Sequence, residues 1–264
     1  MILPAARFLS HQWRARGAYR VHSPFVYEFV TQVLPHRNSE WGDRIEARRR
    51  ELSRDRQTRL EIADYGAGYG GKAHPRMTKR MDQVVRSSAR RRKEGELLHR
   101  ICAHYRPEVC LEFGTNLGFS GLYQASAVPE SRFISLEGAP SLAGVARQHF
   151  ARFGLEVDLR VGEFSAQLER LPPAPDLQFD YVLLDGNHRY APTVAYFTQL
   201  LPRMADRSIV VLDDINWSEG MQAAWREIAA HPQVSVSLDL YFLGIAFIRR
   251  PQRKQHFYLR FSSW

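Results

Sequence analysis

Read as a pattern of apolar and polar positions, the chain changes character near residue 94. Before it, the apolar residues recur at helical spacing. Phe25, Val26, Phe29, Val30, Val33 and Leu34 form a stripe behind Ser23-Pro24, where Ser suits an N-cap and Pro the first helical position. Met1 to Arg20 is amphipathic and basic and reads as a helix of the folded protein, without the long apolar core of a targeting segment. Arg44 to Arg59 reads as a charged helix solvated on most faces. After Glu94 to Tyr105, a further helix, short apolar runs alternate with helical stretches, as a parallel sheet with crossovers requires. The expected strands are Val109 to Phe113, Arg132 to Glu137, Val157 to Val161, Phe179 to Asp185 and Ser208 to Leu212. The expected helices between and after them are Phe119 to Ala127, Ser141 to Phe153, Pro192 to Leu201 and Ser218 to Ala230. Val234 to Tyr241 and Leu243 to Ile248 are too close together for a crossover and must pair as an antiparallel hairpin.

The stretch that organises this alternation is Val109-Cys110-Leu111-Glu112-Phe113-Gly114-Thr115-Asn116-Leu117-Gly118. It reads as a buried strand, a glycine turn and a helix N-terminus, a geometry that offers backbone N–H groups to a ligand. Its Glu-x-Gly-x-x-x-Gly spacing differs from the Gly-x-Gly-x-x-Gly dinucleotide fingerprint. Leu60 to Gly68 is a second strand followed by a glycine turn. Because a basic stretch rather than an amphipathic helix follows it, a lid, a substrate loop or a plain turn fits it better than the principal cofactor loop.

Composition narrows the field without choosing within it. Hydrophobic residues make up 44% and charged residues 25%, ordinary for a globular protein, and no apolar run approaches the roughly 18 residues that span a bilayer. Cys102 and Cys110 fall in a helix and a strand, which points away from a disulfide framework and towards a reducing, cytoplasmic setting. The net charge of +9 favours anionic partners. Much of it sits between Lys72 and Lys93, where nine Lys/Arg face one acid, Asp82; this is either a solvated face or a basic lid attracting an anionic substrate. Nucleic acid is the weaker candidate, because aromatic stacking residues are sparse there.

In an open α/β sheet, ligands sit outside the carboxyl ends of the strands. Glu112, Glu137, Glu163, Asp185, Asp213 and Asp214 all lie at or just past such ends. Glu137 comes 23 residues after Gly114, near the spacing at which an acid grips ribose hydroxyls.

These residues resemble motif I and the acidic positions of the class I S-adenosylmethionine-dependent methyltransferases. That resemblance implies an α/β, Rossmann-like fold, mostly parallel with a C-terminal antiparallel hairpin, here preceded by a helical extension. The implied division is 1–93 for the extension and basic segment, 94–250 for the methyltransferase domain and 251–264 for a tail. It places S-adenosylmethionine on Glu112, Gly114, Thr115, Asn116, Gly118, Glu137, Gly162, Glu163, Phe164 and Asp185. At Glu163 the family often has Asp.

Asp185-Gly186-Asn187-His188-Arg189-Tyr190 with Asp213-Asp214 is similar to the cation-dependent O-methyltransferase branch. There, carboxylates matching Asp185, Asp213 and Asp214 bind magnesium or another divalent cation; alternatively these acids only hydrogen-bond their loops. Where that branch places a lysine base, this chain has His188 and Arg189, so His188 is the candidate base and Arg189 suits an anionic acceptor. Tyr190 and Trp217 are candidate pocket walls, and His22 and His256 receive no role. From His22-Ser23-Pro24-Phe25 to Lys254-Gln255-His256-Phe257 the chain also resembles a group of bacterial methyltransferase-like proteins. The expected activity is O-methylation of a small anionic hydroxylated molecule. RNA or protein methylation and non-catalytic cofactor binding stay open, and a homodimer is compatible with the sequence.

Overall fold

The computed structural model describes residues 4–15, 17, 20–63, 76–88, 91–249 and 252–261. The chain divides into two compact units, residues 1–35 with 178–264, and residues 36–177. The first unit opens with α1 (Pro4–Arg14) and α2 (Pro24–Glu28), the latter running into a π-helical turn, Phe29–Val33. Pro24 sits in the first turn of α2 as expected, but Ser23 makes no side-chain cap. Val26, Phe29 and Val33 from the expected stripe are buried.

The 36–177 unit begins with α3 (Glu40–Leu52), capped by Ser39, whose hydroxyl accepts from Gly42 N. Its charge does not leave it solvated all round, because Ile45, Glu46 and Leu52 are buried. A two-stranded antiparallel sheet follows, β1 (Arg59–Ala63) with β2 (Arg76–Arg80), and then α4 (Met81–Ser88). Arg80 and Arg86 both pair with Asp82, the one acid of the basic stretch, which is buried. The glycine turn expected at Asp64 to Gly68 lies outside the described residues. Its strand, β1, belongs to this small separate sheet.

Next come α5 (Arg92–Tyr105), β3 (Val109–Phe113), α6 (Phe119–Ala127), β4 (Arg132–Glu137), α7 (Pro140–Phe153), β5 (Asp158–Val161) and α8 (Phe164–Glu169). β3 pairs with β4 and β4 with β5, all parallel, as two strand–helix–strand crossovers demand. Pro140 starts α7. Gly154, at φ +67°, ends it with Gly154 N donating to Ala151 O and Leu155 N to Phe150 O, a Schellman pair.

The 1–35 and 178–264 unit continues with β6 (Phe179–Leu184), α9 (Tyr190–Leu200), β7 (Met204–Asp213), α10 (Glu219–Ala230), β8 (Val236–Asp239), β9 (Leu243–Ile248) and β10 (Gln255–Tyr258). Within it the order is β10-β8-β9-β7-β6. β6 and β7 are parallel, and β9 runs antiparallel to both β7 and β8, which is the expected hairpin. Residues 255–258, read from sequence as tail, form β10, which pairs in parallel with β8. Both cysteines are buried and neither is in a disulfide, as their places in a helix and a strand imply. Among the described residues no helix is long and apolar enough to cross a membrane.

Candidate active site

The glycine loop of the 36–177 unit is built from its floor upward. Glu112 on β3 is fully buried and stands opposite Ser135 on β4. Its carboxylate accepts from Ser135 Oγ (2.6 Å) and from Gln124 Nε2 on α6 (2.8 Å). A buried carboxylate needs donors, and these tie strand, neighbouring strand and following helix together. Thr115 Oγ1, also fully buried, meets Ser135 Oγ.

Above this floor the chain turns with Gly114 at φ +85°, Asn116 at +50° and Gly118 at +85°. Such angles favour glycine and, next to it, asparagine. The helix then starts close against α7: a Cβ on Gly118 would stand 3.1 Å from that of Ala146. Within the turn itself, from Gly114 to Gly118, each N–H group already has a partner. Gly114 N and Thr115 N both donate to Leu136 O, Leu117 N to Asn116 Oδ1 and Gly118 N to Thr115 O. Asn116 N donates to Glu137 Oε2 at 2.7 Å. The donors of the turn thus shape it, which leaves acceptor chemistry to the strand end beside it.

Glu137, the last residue of β4, carries that chemistry. Its side chain is 7% exposed, Oε1 accepts from Ala139 N (2.8 Å) and Oε2 from Asn116 N. Burial pushes its pKa up, opposed by backbone N–H groups and reinforced by the nearby Glu112 charge. A carboxylate has about four lone-pair sites, so two backbone bonds leave room for a ligand's hydroxyls. This suits a ribose diol.

At the end of β5, Gly162 takes φ +141°, and a Cβ there would meet Gln167 Nε2 at 2.6 Å. Glu163 is exposed and caps α8, accepting from Ala166 N at 2.9 Å. Phe164 packs edge-on against Phe113, with centroids 5.5 Å apart.

One residue that sequence reading missed holds the loop from outside. His149 on α7 is fully buried; its Nδ1 bonds Leu117 O (2.7 Å), and its Nε2 accepts from Arg48 Nε (3.1 Å). Burial lowers its pKa to about 4. The available signal was its place on the apolar stripe of α7 with Leu142, Val145, Ala146 and Phe153.

The acidic loop of the other unit is described on its own. β6 and β7 run parallel with Leu184 opposite Leu212, so Asp185 and Asp213 leave adjacent strand ends side by side. His188 Nε2 stands 3.7 Å from Asp185 Oδ1, both side chains about a quarter exposed or less (25% and 21%). Asn187 is at φ +52° and its Oδ1 accepts from Arg189 Nε at 2.7 Å. Tyr190 bonds Glu227 through its hydroxyl, and Trp217 is 69% exposed. Asp214 takes φ +51°, and its carbonyl accepts from Trp217 N. Among the described residues no three His, Cys, Asp or Glu side chains group closely enough to hold a metal ion. Asp185, Asp213 and Asp214 therefore do not form a ligand set in this arrangement.

Comparison with known proteins bears on the fold and the reaction class. Residues 111–215 match the family described as Methyltransferase domain. The chain is 29% identical over 125 residues to a catechol O-methyltransferase of Niastella koreensis, covering 46% of this chain and 56% of that protein. It is 32% identical over 135 residues to a catechol O-methyltransferase of Mycobacterium tuberculosis, covering 50% and 59%. It thus spans little more than half the length of either relative. Among solved structures it resembles the O-methyltransferase TomG of Streptomyces achromogenes in complex with S-adenosylmethionine (TM-score 0.57, 20% identity, 85% of this chain and 95% of that one). It also resembles the Bacillus cereus O-methyltransferase in complex with S-adenosylhomocysteine (TM-score 0.54, 18% identity, 84% and 97%). The chain shares the Rossmann-like fold of these methyltransferase structures, and residues 111–215 match a methyltransferase domain.

Proposed function

We propose that the protein transfers a methyl group from S-adenosylmethionine to a hydroxyl of a small, anionic acceptor. The observation that carries this reading is Glu137: a buried strand-end carboxylate, held by two backbone N–H groups, with acceptor capacity left for a ribose. The catechol O-methyltransferase relatives and the S-adenosylmethionine-bound structural neighbour support the same reaction class.

The cofactor set is Glu137 for the ribose, Gly162, Glu163 and Phe164 around the adenine, and the Gly114 to Gly118 turn for the methionine end. The ammonium of that end takes acceptor oxygens, which is what the turn has left to offer. Glu112, Thr115 and Asn116 serve by fixing the turn, Glu112 from beneath it.

S-adenosylmethionine supplies an electrophilic sulfonium methyl. His188 takes the acceptor's hydroxyl proton on its imidazole, whose Nε2 lies 3.7 Å from Asp185 Oδ1. As the oxygen bonds the methyl carbon, the carbon–sulfur bond breaks and its electron pair stays on sulfur. The products are a methyl ether and S-adenosylhomocysteine. Arg189, beside His188, attracts the acceptor's negative charge. No step here passes through a divalent cation, because the three carboxylates do not group as ligands.

Calorimetric titration with S-adenosylmethionine, paired with turnover of 3,4-dihydroxybenzoate, tests this reading. Glu137→Ala should weaken cofactor binding about tenfold to a hundredfold, the scale of hydrogen bonds to a charged group. His188→Ala should leave binding unchanged and lower kcat by about 10²- to 10⁴-fold, the range of general base catalysis. No cofactor binding by the wild-type chain would end the proposal. Running both assays with magnesium and with chelator decides the cation separately: a chelator-sensitive rate restored by magnesium would show that the acidic loop rearranges to bind it.

A further inference from the structure

A cavity of about 930 Å³ lies wholly within the 1–35 and 178–264 unit, between α1, α10, the edge strand β10 and its neighbour β8. That volume is in the range of pockets that enclose drug-sized molecules. The methyl-transfer reading assigns none of its charged or aromatic side chains.

One wall is fixed by Asp239, the last residue of β8, which is buried. Its Oδ1 lies 3.0 Å from His11 Nε2 on α1 and accepts from Tyr241 N, while Oδ2 accepts from Trp225 Nε1 on α10 at 3.1 Å. The two helices are thereby fastened to the sheet beside the cavity. His11 Nδ1 is buried with no hydrogen-bond partner among the described residues.

The lining carries both aromatic and cationic side chains. Trp225, His256 and Tyr258 form a run of rings, with His256 and Tyr258 edge-on at 4.8 Å and Trp225 6.3 Å from His256. Of the lining charges, Arg7 is paired with Glu219 at 3.2 Å, and Asp239 is satisfied as described. Arg14, Arg226 and Lys254 remain, exposed and with no carboxylate partner among the described residues. Arg14 stands over the Tyr258 ring at 5.6 Å, and Lys254 donates to the carbonyls of His231 and Val234. Three unneutralised cations around an aromatic pocket complement an amphiphilic anion.

We propose that this cavity binds a small organic acid, its apolar body against Trp225, His256 and Tyr258 and its anionic group at the rim formed by Arg14, Arg226 and Lys254. The site is independent of the cofactor reading.

The test uses the full chain and the fluorescent aromatic sulfonate 8-anilinonaphthalene-1-sulfonate, displaced by decanoate, by decan-1-ol and by inorganic phosphate. Binding should saturate at one probe per chain. Decanoate should displace it about tenfold better than the alcohol, and phosphate hardly at all. Arg14→Ala and Arg226→Ala should each weaken binding about threefold to fivefold, the scale of exposed charge contacts, and together about tenfold. Ala229→Phe, which fills the lining beside the rim, should abolish saturable binding while the melting temperature shows that the fold persists. Glu137→Ala should leave the probe unaffected, so failure here and failure of the cofactor site are told apart. Equal displacement by acid and alcohol, displacement by phosphate alone, or unchanged binding in Ala229→Phe or the double arginine variant would overturn the proposal.

Discussion

The two acidic loops are built on opposite plans. In the 36–177 unit, Glu112 and Glu137 are buried and their oxygens receive donors at 2.6–2.8 Å from fixed strands, helix and backbone. In the other unit, Asp185 and His188 are part-exposed and sit 3.7 Å apart, longer than a hydrogen bond. In the first loop the carboxylates are held at hydrogen-bond distance; in the second, His188 and Asp185 approach one another without reaching it. That contrast fits the proposed chemistry. An invariant cofactor rewards a rigid recogniser, whereas catalytic hydrogen bonds are commonly long in the empty site and tighten when substrate binds.

The largest effect expected on this contrast comes from its most rigid point. Glu112→Ala removes the acceptor of two buried donors, Ser135 Oγ and Gln124 Nε2, and leaves a cavity beneath the turn. Losses of this kind are each worth about 1–3 kcal/mol, so a total of about 3–5 kcal/mol is expected from denaturant midpoints. Asp185→Ala, in the part-exposed loop, should change stability by less than about 1 kcal/mol. Similar losses at the two sites would erase the distinction.

Next in size is a pH effect confined to the rigid loop. His149 is neutral in the fold: Nδ1–H donates to Leu117 O and the bare Nε2 accepts from Arg48. Protonation would turn that acceptor into a donor facing a guanidinium. The folded pKa, about 4, lies below the ordinary 6.5, so the unfolded chain takes up the proton first. Stability is therefore full above about pH 6.5 and falls as the pH drops towards 4, by about 3 kcal/mol at most. His149→Gln offers a donor and an acceptor but no titration, so urea unfolding at pH 7 and pH 4.5 should show a smaller acid loss in the variant. Equal acid losses would remove His149 from the account.

Much of the rigid loop was legible in the sequence, and the reason is local. A buried strand, two glycines at positive φ and a helix lie within 19 residues, Val109 to Ala127, and each leaves its own compositional mark. The strand-end acids were legible for the same reason. What sequence could not show was how the pieces satisfy one another. The turn's N–H groups are taken by Leu136 O, Asn116 Oδ1 and Glu137, two of them supplied by β4, about 20 residues on. Glu112 reads as one more edge acid until its donors from β4 and α6 are seen. Strand β10 has only four residues and a partner about 20 residues earlier in the chain, and periodicity does not name partners. The cavity at His11 and Asp239 joins residues 228 positions apart.

A smaller effect compares the loops like for like. Asn116 and Asn187 both hold positive φ, and each side chain accepts one local hydrogen bond, from Leu117 N and Arg189 Nε. Alanine at either position strains the backbone by about 1 kcal/mol, whereas glycine relieves that strain and loses only the side-chain bond. Asn116→Ala should lower the melting temperature and weaken S-adenosylmethionine, because Asn116 N is a donor to Glu137. Asn187→Ala should affect turnover and leave cofactor affinity as it was. Cofactor affinity falling equally in both variants would show that the loops are not separable in this way.

The smallest effect concerns Glu163, for which cap and adenine contact are competing duties. Its carboxylate accepts from Ala166 N, three residues on, the position an N-cap side chain reaches. Deleting a cap costs about 1 kcal/mol, and α8 has only six residues over which to recover it. Aspartate is among the preferred N-caps, so Glu163→Asp should keep the stability that Glu163→Ala loses. The cofactor reading adds a condition. If the side chain also meets the adenine, Glu163→Ala must weaken S-adenosylmethionine by more than the small loss of α8 stability transmits, and Glu163→Asp must restore it. If both variants bind as the wild type does while only Glu163→Ala melts early, the residue is a cap alone. Adenine recognition in the proposed set then falls to Gly162 and Phe164.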